Sequence, residues 1–391
     1  MKRLFCLILA MLTLALCACG GSPAQSGPTS APADSSSASP QTPPTSGSQT
    51  ETPAVPETPA PAPSVPETPA PQPEPVPAGP VNPLTGLPID EALVNRKPVA
   101  IMLNNIKAAQ HQQGNSQADI IYEVLAEGNI TRMLGLYQDI SQLGVVGSIR
   151  SARPYYLELA LGHDSVYVHA GGSEIFYQRH KEWTLSTVDC VNGYYGYTST
   201  GLVWRDKNRV AGKTFGYEHS MVTSGEKLTE ILTTRNVLTD HTDGYAYEMS
   251  FTADGTPADG KNAATLTVPF IGGSNGKTTI FRYDAAAGVY KAEQFGGAYI
   301  DGNDGTQVSA TNVLVLKTTC TVLDDAGHLQ VDLSSGDGWY ACGGKYIPIT
   351  WEKGQRDQQL RYFTTGGQPL TLGQGKSYVC IIPKTREIIA E

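Results

Sequence analysis

Between residues 20 and 81 the chain has no aromatic residue, no Leu, Ile or Met, and no Lys or Arg. Such a segment cannot bury enough apolar surface to offset the entropy that folding would remove. The same segment holds 18 of the 27 prolines, which favours extended polyproline II conformations. We therefore expect residues 19–81 to form a disordered, semi-rigid stalk.

The chain also lacks a Cys-x-x-Cys pair and any group of Cys and His, so its pattern indicates no zinc site. No other motif points to a cofactor. The cysteines after the stalk are Cys190, Cys320, Cys342 and Cys380. They could pair in three ways in an exported protein. However, Cys320 and Cys380 lie in apolar segments that resemble core strands, which favours buried free thiols.

A strong excess of one charge is missing from the part of the chain that can fold. Lys2 and Arg3 and the five acidic residues before residue 82 leave 26 basic and 32 acidic residues in 82–391. This balance argues against nucleic acid as a partner and against adhesion to anionic lipid by charge alone. It leaves room for a local basic pocket.

The start of the chain carries an export signal. Lys2 and Arg3 precede the nearly apolar run 4–16, which is too short to cross a hydrocarbon core of ~30 Å. The ending Leu-Cys-Ala-Cys at 16–19 resembles a bacterial lipobox. We expect a signal peptide over 1–18, lipid on the Cys19 sulfur, and a location on the outer face of the cytoplasmic membrane. The alternative is an ordinary signal peptide followed by a chance cysteine.

Strands and helices alternate in 82–240, which predicts an α/β (or α+β) N-terminal domain. Its strands are expected at 98–104, 130–137 and 165–169. Its helices are expected after a capping box at 116–119, from Pro154 to Gly162, from Ser173 to Trp183, and after a second capping box at 223–226.

From residue 245 to residue 391 the apolar period becomes two, which predicts a mainly β C-terminal domain. A hairpin is expected from 278–283 and 289–295 around the turn 284–288. Further strands are expected at 308–323, 329–333, 345–351 and 376–383.

Polar residues at the predicted strand ends mark a candidate crevice. They are Asn104 and Asn105, Gln138 and Asp139, and His169. The turn Gly171, Gly172 and Ser173 could present N–H groups to an anion at a helix N-terminus.

Arg150 and Arg153 precede the helix that Pro154 begins, where the helix dipole disfavours cations. An acidic group should offset them. It is either a bound anion or an internal carboxylate such as Asp139 or Glu158.

His169 is the candidate acid or base, with Asp119 or Asp139 assisting. Ser173 is a weaker candidate because its surroundings lack the nucleophile elbow and suit a helix cap. Asp119, Glu123 and Glu127 share one face if this segment is helical, where a solvated stripe is the simpler interpretation than paired catalytic carboxylates.

Two further segments bear on the candidate site. Arg205, within the sequence 204–209, and His219 form a second polar group that could fold over the crevice. The sequence 272–278 is one residue short of a phosphate loop and leads into a strand, so we interpret it as a turn.

Several motifs together resemble the YerB-like bacterial lipoprotein family. They are Asn-Pro-Leu-Thr-Gly-Leu-Pro at 82–88, Ser-Gln-Ala-Asp-Ile-Ile-Tyr-Glu at 116–123, Gly-Asn-Ile-Thr-Arg at 128–132, Arg-Ser-Ala-Arg-Pro at 150–154 and Val-His-Ala-Gly-Gly-Ser at 168–173. The resemblance implies two paired domains of unknown function and a lipid anchor. It implies no reaction.

We therefore predict a lipid-anchored binding or scaffold protein of the cell envelope. Its ligand would be an anionic glycan, a wall polymer or an envelope protein. The alternative is an envelope hydrolase that uses His169 with a nearby carboxylate. The ligand-binding candidates are Asn104, Arg150, Arg153, His169, Gly171, Gly172, Ser173 and Arg205.

Overall fold

The computed structural model describes residues 79–196, 199–211, 216–273 and 276–391. The predicted signal peptide, Cys19 and the stalk up to residue 78 lie outside the described residues. In the part of the chain that is described, no helix is both long enough and apolar enough to span a membrane.

The N-terminal half mixes helices with strands, as predicted. Its α-helices are α1 (Glu91–Val94), α2 (Pro154–Gly162), α3 (Glu174–Trp183) and α4 (Gly225–Thr234). Its strands are β1 (Val99–Asn105), β2 (Ile120–Ala126), β3 (Ile130–Tyr137), β4 (Val145–Gly147), β5 (Val166–His169), β6 (Val188–Asp189), β7 (Trp204–Arg205) and β8 (Met221–Ser224).

The C-terminal half is mainly β, which confirms the predicted class. Its first strands are β9 (Ser250–Thr252), β10 (Lys261–Asn262), β11 (Thr265–Pro269), β12 (Thr278–Asp284), β13 (Val289–Gln294), β14 (Gly297–Ala298), β15 (Ser309–Ala310) and β16 (Asn312–Thr318). The remaining strands are β17 (Cys320–Val322), β18 (Leu329–Val331), β19 (Ser335–Cys342), β20 (Lys345–Glu352), β21 (Arg361–Thr364), β22 (Thr371–Gly373), β23 (Ser377–Pro383) and β24 (Ile389–Ala390).

One large sheet contains strands from both halves. Its order is β10-β20-β19-β16-β23-β2-β3-β1-β5-β6, with β21 beside β20. The two halves join where β2 pairs in parallel with β23, from Ile120 opposite Ser377 to Val124 opposite Ile381. The domain boundary predicted between residues 240 and 245 stays a prediction. Strands of both halves belong to one sheet, so strand pairing does not separate two domains there.

The central strands of this sheet are covered on both faces. In β1, Val99, Ile101 and Leu103 pack into one core with Phe281 of a second sheet, whose order is β14-β13-β12-β11-β24. Residues of the opposite parity face a second core, in which Tyr155 and Tyr156 of α2 lie. Strands covered on both faces become almost continuously apolar, as β1 and β2 are.

The predicted helix after residues 116–119 is wrong. Residues 115–117 form a short 3₁₀ turn, and Ile120–Ala126 is strand β2. The run is rich in β-branched residues and is apolar on both faces, so its periodicity alone could not separate a buried strand from a helix.

The other predicted helices are confirmed, and their caps explain why. Pro154 is the first residue of α2, and the Ser173 hydroxyl accepts a hydrogen bond from the Phe176 N–H at the start of α3. The cap of α4 is Ser224 rather than Thr223. Local side-chain chemistry determines these helix starts, so the sequence reveals them.

The predicted hairpin around 284–288 is also confirmed, since β12 and β13 pair from Thr279 opposite Gln294 to Asp284 opposite Val289. The single strand predicted over 308–323 divides into β15, β16 and β17.

The four cysteines of the folded part are free thiols. Cys190, Cys342 and Cys380 are buried, whereas Cys320 is only partly buried.

Candidate functional site

The candidate crevice residues divide between two ends of the large sheet. Strand β3 runs antiparallel to β1, with Val99 opposite Tyr137 and Asn105 opposite Thr131. Gln138 and Asp139 therefore lie at the end opposite to Asn104 and Asn105, and the prediction of one shared crevice is wrong. Because β1 and β5 are parallel, their carboxyl ends do lie at the same edge of the sheet.

His169 is a core residue rather than an accessible base. It is fully buried, with Nδ1 2.8 Å from the Gly171 carbonyl and Nε2 2.9 Å from the Thr187 hydroxyl. Burial lowers the pKa of His169, against the opposing charge of Asp189. With both ring nitrogens engaged and no exposed surface, His169 has no open position for a substrate.

Asp119 is not a partner of His169. Their strands are three positions apart in the order β2-β3-β1-β5, which is about 14 Å by strand spacing alone. Asp119 instead accepts hydrogen bonds from the Gln138 N–H at 2.7 Å and from Asn82 at 3.0 Å. Burial raises the pKa of Asp119 to about 6. The geometry therefore removes the basis for the predicted hydrolase pair.

The Gly-Gly-Ser turn is occupied by contacts within the protein. The Gly171 N–H donates to Asp189 at 3.0 Å, and the Ser173 N–H donates to the Ala152 carbonyl at 3.4 Å. A Cβ atom on Gly172 would lie 2.3 Å from the Phe176 ring, so this glycine permits close packing. The expected anion cradle is thus used to join α3 to the sheet.

Arg153 has an internal carboxylate, but it is neither Asp139 nor Glu158. Its Nε donates to Glu127 at 2.9 Å, and its second Nη also contacts that carboxylate. Arg132 binds the same carboxylate at 2.8 Å. Burial alone would raise the pKa of Glu127, but the hydrogen bond from Arg153 and the charge of Arg132 outweigh it and lower the pKa to about 2.

Arg150 adds a third guanidinium group beside this pair. Its Nη1 donates to the Glu218 carbonyl at 3.1 Å, and its Nε is buried without a hydrogen-bond partner among the described residues. Burial lowers the pKa of Arg150 to about 10, and the nearby charge of Arg132 acts in the same direction. We call Arg132, Arg150 and Arg153, with Glu127, the arginine site.

Arginines also hold the 3₁₀ turn Tyr217–His219. Arg205 donates to the Tyr217 carbonyl at 2.8 Å, Arg150 to the Glu218 carbonyl, and Arg209 to the His219 carbonyl at 3.4 Å. The Arg205 guanidinium also lies over the Tyr217 ring, 4.3 Å from its centre. The predicted second polar group is therefore brought next to Arg150.

Asn104 completes this neighbourhood. Its side-chain amide lies 2.9 Å from Nδ1 of His219 and 3.2 Å from the Ser148 hydroxyl. An amide N–H donated to Nδ1 places the imidazole proton on Nε2, which lies 3.4 Å from Glu218. Asn104 and His219 are both buried, so they fix the turn that Arg150 binds.

The opposite face of the sheet carries a charged cluster that the sequence analysis missed. Glu123 of β2 is fully buried and lies 2.9 Å from Lys277, which is also buried. Burial lowers the pKa of Lys277, while the charge of Glu123 opposes that shift. Other donors to the Glu123 carboxylate are Asn105 at 2.9 Å, Thr131 at 2.7 Å, Thr279 at 2.8 Å, Gln294 at 3.3 Å and Tyr378 at 2.6 Å. We call these seven residues the lysine–glutamate cluster.

A cavity of about 600 Å³ adjoins this cluster. Lys277 and Asn105 belong to its lining, as do Phe295 and the end of β1. Two features of the sequence mark the lysine–glutamate cluster. Glu123 is a charged residue inside an apolar run, which needs a partner when buried. Lys277 lies in the glycine-rich segment that we interpreted only as a turn.

Across the described ranges, no group of three or more His, Cys, Asp or Glu side chains is arranged to hold a metal ion.

Comparison with known proteins gives the relationship of the chain. The N-terminal domain model of the protein of unknown function DUF3048 matches residues 84–238, and its C-terminal domain model matches residues 266–379. A Bacillus subtilis (strain 168) protein named "Putative lipoprotein YerB" is 30% identical over 308 residues, which are 77% of this chain and 86% of that protein. A crystal structure of YerB protein from Bacillus subtilis matches with a TM-score of 0.67 and 25% identity, covering 79% of this chain and 99% of that one. The chain therefore belongs to the family of YerB-like proteins that combine the two DUF3048 domains.

Proposed function

We propose that this protein is a lipid-anchored binding protein of the bacterial envelope, located on the outer face of the cytoplasmic membrane. The lipobox-like ending at 16–19 supports the anchor, and so does the name of the Bacillus subtilis relative. The folded part would bind an anionic group at the arginine site.

The binding proposal rests on the hydrogen bonding of the Arg150 guanidinium. Arg132 and Arg153 share the carboxylate of Glu127, whereas the Arg150 guanidinium makes one hydrogen bond to a described residue, at the Glu218 carbonyl. A guanidinium has five N–H groups in a planar fork that suits phosphate and carboxylate. An anion bound there would offset the repulsion among three cations and use the remaining donors of Arg150.

The surroundings favour an anionic polymer over a small free ion. Trp204 and Tyr217 are exposed aromatic residues. The Tyr217 ring lies against the Arg205 guanidinium in the turn that Arg150 binds, and Trp204 precedes Arg205 in β7. Exposed aromatic rings beside guanidinium groups can contact the apolar parts of a larger ligand. A wall polymer that bears phosphate or carboxylate groups has both the anionic groups for the arginines and the apolar parts for the aromatic rings.

Thermal unfolding of the full-length protein in detergent micelles tests this site. Inorganic phosphate, an anionic wall polymer and a neutral polymer would each be titrated. An anion at 100 times its Kd adds about 2.7 kcal/mol to the free energy of unfolding. We expect the anionic polymer to stabilise the wild type and to lose this effect in Arg150→Gln.

Arg179→Gln is the matched control. Arg179 is exposed on α3 and, among the described residues, pairs with Glu182, so its loss removes the same charge away from the site. It should respond to the anionic polymer as the wild type does. Equal stabilisation of wild type and Arg150→Gln, or none by any anion, would contradict the proposed function.

The anchor has its own test in Cys19→Ala. We expect the wild type to incorporate labelled fatty acid and to sediment with membranes. The variant should lose the label and the membrane association, because the acceptor sulfur is gone. A Cys19→Ala variant that keeps both would show that the chain is not anchored through this residue.

A further inference from the structure

We infer that the cavity beside Lys277 binds an uncharged pyranose ring of a glycan. This site goes beyond the proposed function, because its residues and its ligand class differ from those of the arginine site. The cavity has a volume of about 600 Å³, within the range of small-ligand sites. The lining residues that matter here are Asn105, Ile106, Ile130, Lys277, Ile280 and Phe295.

The floor of the cavity offers no free charge. Lys277 is held by Glu123 at 2.9 Å, by the Gln294 side-chain oxygen at 2.8 Å and by the Thr279 hydroxyl at 3.1 Å. The Glu123 carboxylate is in turn surrounded by donors of the lysine–glutamate cluster. A charged ligand at the floor would have to compete with this paired network, so a neutral ligand is favoured.

The rim adds little charge. Glu293 is paired with Arg282 at 2.8 Å. Lys107 is exposed on the rim and forms no ion pair with another described residue. One solvated cation at the edge does not select for an anion in the way that three convergent guanidinium groups do.

The floor does offer an unsatisfied acceptor. The Asn105 side-chain nitrogen donates to Glu123 and Thr131, both at 2.9 Å, which determines the orientation of the amide. Its side-chain oxygen is buried and has no hydrogen-bond partner in the part of the chain that the structure describes. Leaving such an acceptor unpaired is unfavourable. A hydroxyl group of a ligand would supply the missing donor after a small shift of the side chains that cover this oxygen.

Phe295 supplies an apolar platform at an unusual backbone position. It has φ +56° and precedes Gly296 at φ +88°, in a two-residue turn closed by the pair Gln294 and Gly297. Asn or Gly is the usual first residue of such a turn, and a bulky side chain is disfavoured there. The half-buried ring lies 4.9 Å from the Lys277 Nζ atom. The ring contacts Lys277 within the protein, and because it also lines the cavity it offers a surface on which a ligand could pack.

A sugar matches this combination better than a peptide does. The C–H face of a pyranose fits Phe295 and the half-buried Ile106, Ile130 and Ile280, while its hydroxyl groups can donate to Asn105. Peptides are commonly bound by extending a sheet edge. The edge strand β14 is only two residues long here, so it gives a peptide little backbone to pair with.

Ligand-observed saturation-transfer NMR on the full-length protein in detergent micelles tests the inference. The probes are the neutral oligosaccharides chitotriose and cellotriose, with trialanine as the peptide probe. We expect an oligosaccharide to bind the wild type and Phe295→Asn to weaken that binding about tenfold or more. Because Asn tolerates the left-handed conformation, relief of backbone strain should offset part of the packing lost with the ring, and the variant should still unfold cooperatively.

Two control variants separate this site from other effects. Phe363→Asn removes a half-buried aromatic ring outside the cavity and should bind sugar as the wild type does. Arg150→Gln should also keep sugar binding, so failure of the arginine site would leave this result unchanged. The inference is overturned if no oligosaccharide binds at about 10 mM, if trialanine binds instead, or if Phe295→Asn binds sugar like the wild type.

Discussion

Arg132 of the arginine site and Glu123 of the lysine–glutamate cluster lie on opposite faces of the strands β2 and β3. In the β1–β3 pair, Asn104 is opposite Arg132, and the next pair is Asn105 opposite Thr131. A step of one residue along a strand changes the face of the sheet. One face thereby receives Arg132, which shares Glu127 with Arg153, and the other receives the ion pair of Glu123 and Lys277 with its hydrogen-bond donors and acceptors.

This difference separates two uses of buried charge. The lysine–glutamate cluster joins residues far apart in sequence, from Glu123 in the first half to Tyr378 near the C-terminus, and so it links the two halves of the fold. The arginine site has fewer carboxylates than cations and keeps donors on Arg150 unused. We therefore expect the first to support stability and the second to support binding.

The largest effect is expected from Glu123→Leu. This change leaves the buried Lys277 without its carboxylate, and removal of one partner of a buried pair lowers the free energy of unfolding by about 3–5 kcal/mol. Denaturant unfolding measures it. The double variant Glu123→Leu/Lys277→Met should recover most of the loss, because no uncompensated charge remains. A single variant as stable as the wild type would contradict a structural role for the pair.

A smaller effect is expected from Glu127→Gln. Glu127 keeps 21% of its side chain exposed, and its loss leaves Arg132 and Arg153 facing each other. Hydrogen bonds to charged groups are worth about 1.5–3 kcal/mol each, so a decrease of about 2 kcal/mol is expected at pH 7.

The stabilisation by Glu127 should decrease as the pH falls. The pKa of Glu127 is lowered from 4.5 to about 2 in the folded state. Its carboxylate therefore stabilises the fold fully above pH 4.5, and that contribution is lost as the pH falls through about 2. Denaturant unfolding between pH 7 and pH 2 should show the difference between wild type and Glu127→Gln shrinking below pH 4.5. A constant difference would argue against the ionised carboxylate as its cause.

The smallest change in stability is expected from Arg150→Gln. The side chain makes one hydrogen bond within the described ranges, and its charge is repelled by Arg132 and Arg153, so the two contributions oppose each other. The free energy of unfolding should change by less than about 1 kcal/mol. Denaturant unfolding beside the Glu123→Leu variant checks this contrast. A loss as large as that of Glu123→Leu would make Arg150 a structural residue and remove the distinction between the two faces.

The elements that the sequence predicted well are those with local signals. The starts of α3 and α4 are marked by Ser173 and Ser224, whose hydroxyl groups accept hydrogen bonds from backbone N–H groups of the first turn. The start of α2 is marked by Pro154, which has no N–H group to satisfy. Strand β2 was missed because a short apolar run suits a buried helix as well as a strand covered on both faces.

The candidate site was predicted in part. Arg150 and Arg153 were identified from their position before a helix, where an acidic partner was expected. That partner is Glu127, which lies 26 residues before Arg153. No pattern of neighbouring residues in the sequence identifies this pair. His169 and the turn at 171–173 were expected to face a ligand, but the packing of α3 and the contact with Asp189 use them internally.

By itself, the sequence determined the features that depend on composition and on neighbours along the chain. These are the mixed N-terminal half, the β-rich C-terminal half and the relation to the YerB-like family. Only the tertiary structure decided which residues meet. Strand direction separated Gln138 from Asn104, and pairing of β2 with β23 and packing of the second sheet brought Glu123 to Lys277, 154 positions along the chain. Contacts of that kind depend on register and on strand order, which local side-chain chemistry does not encode.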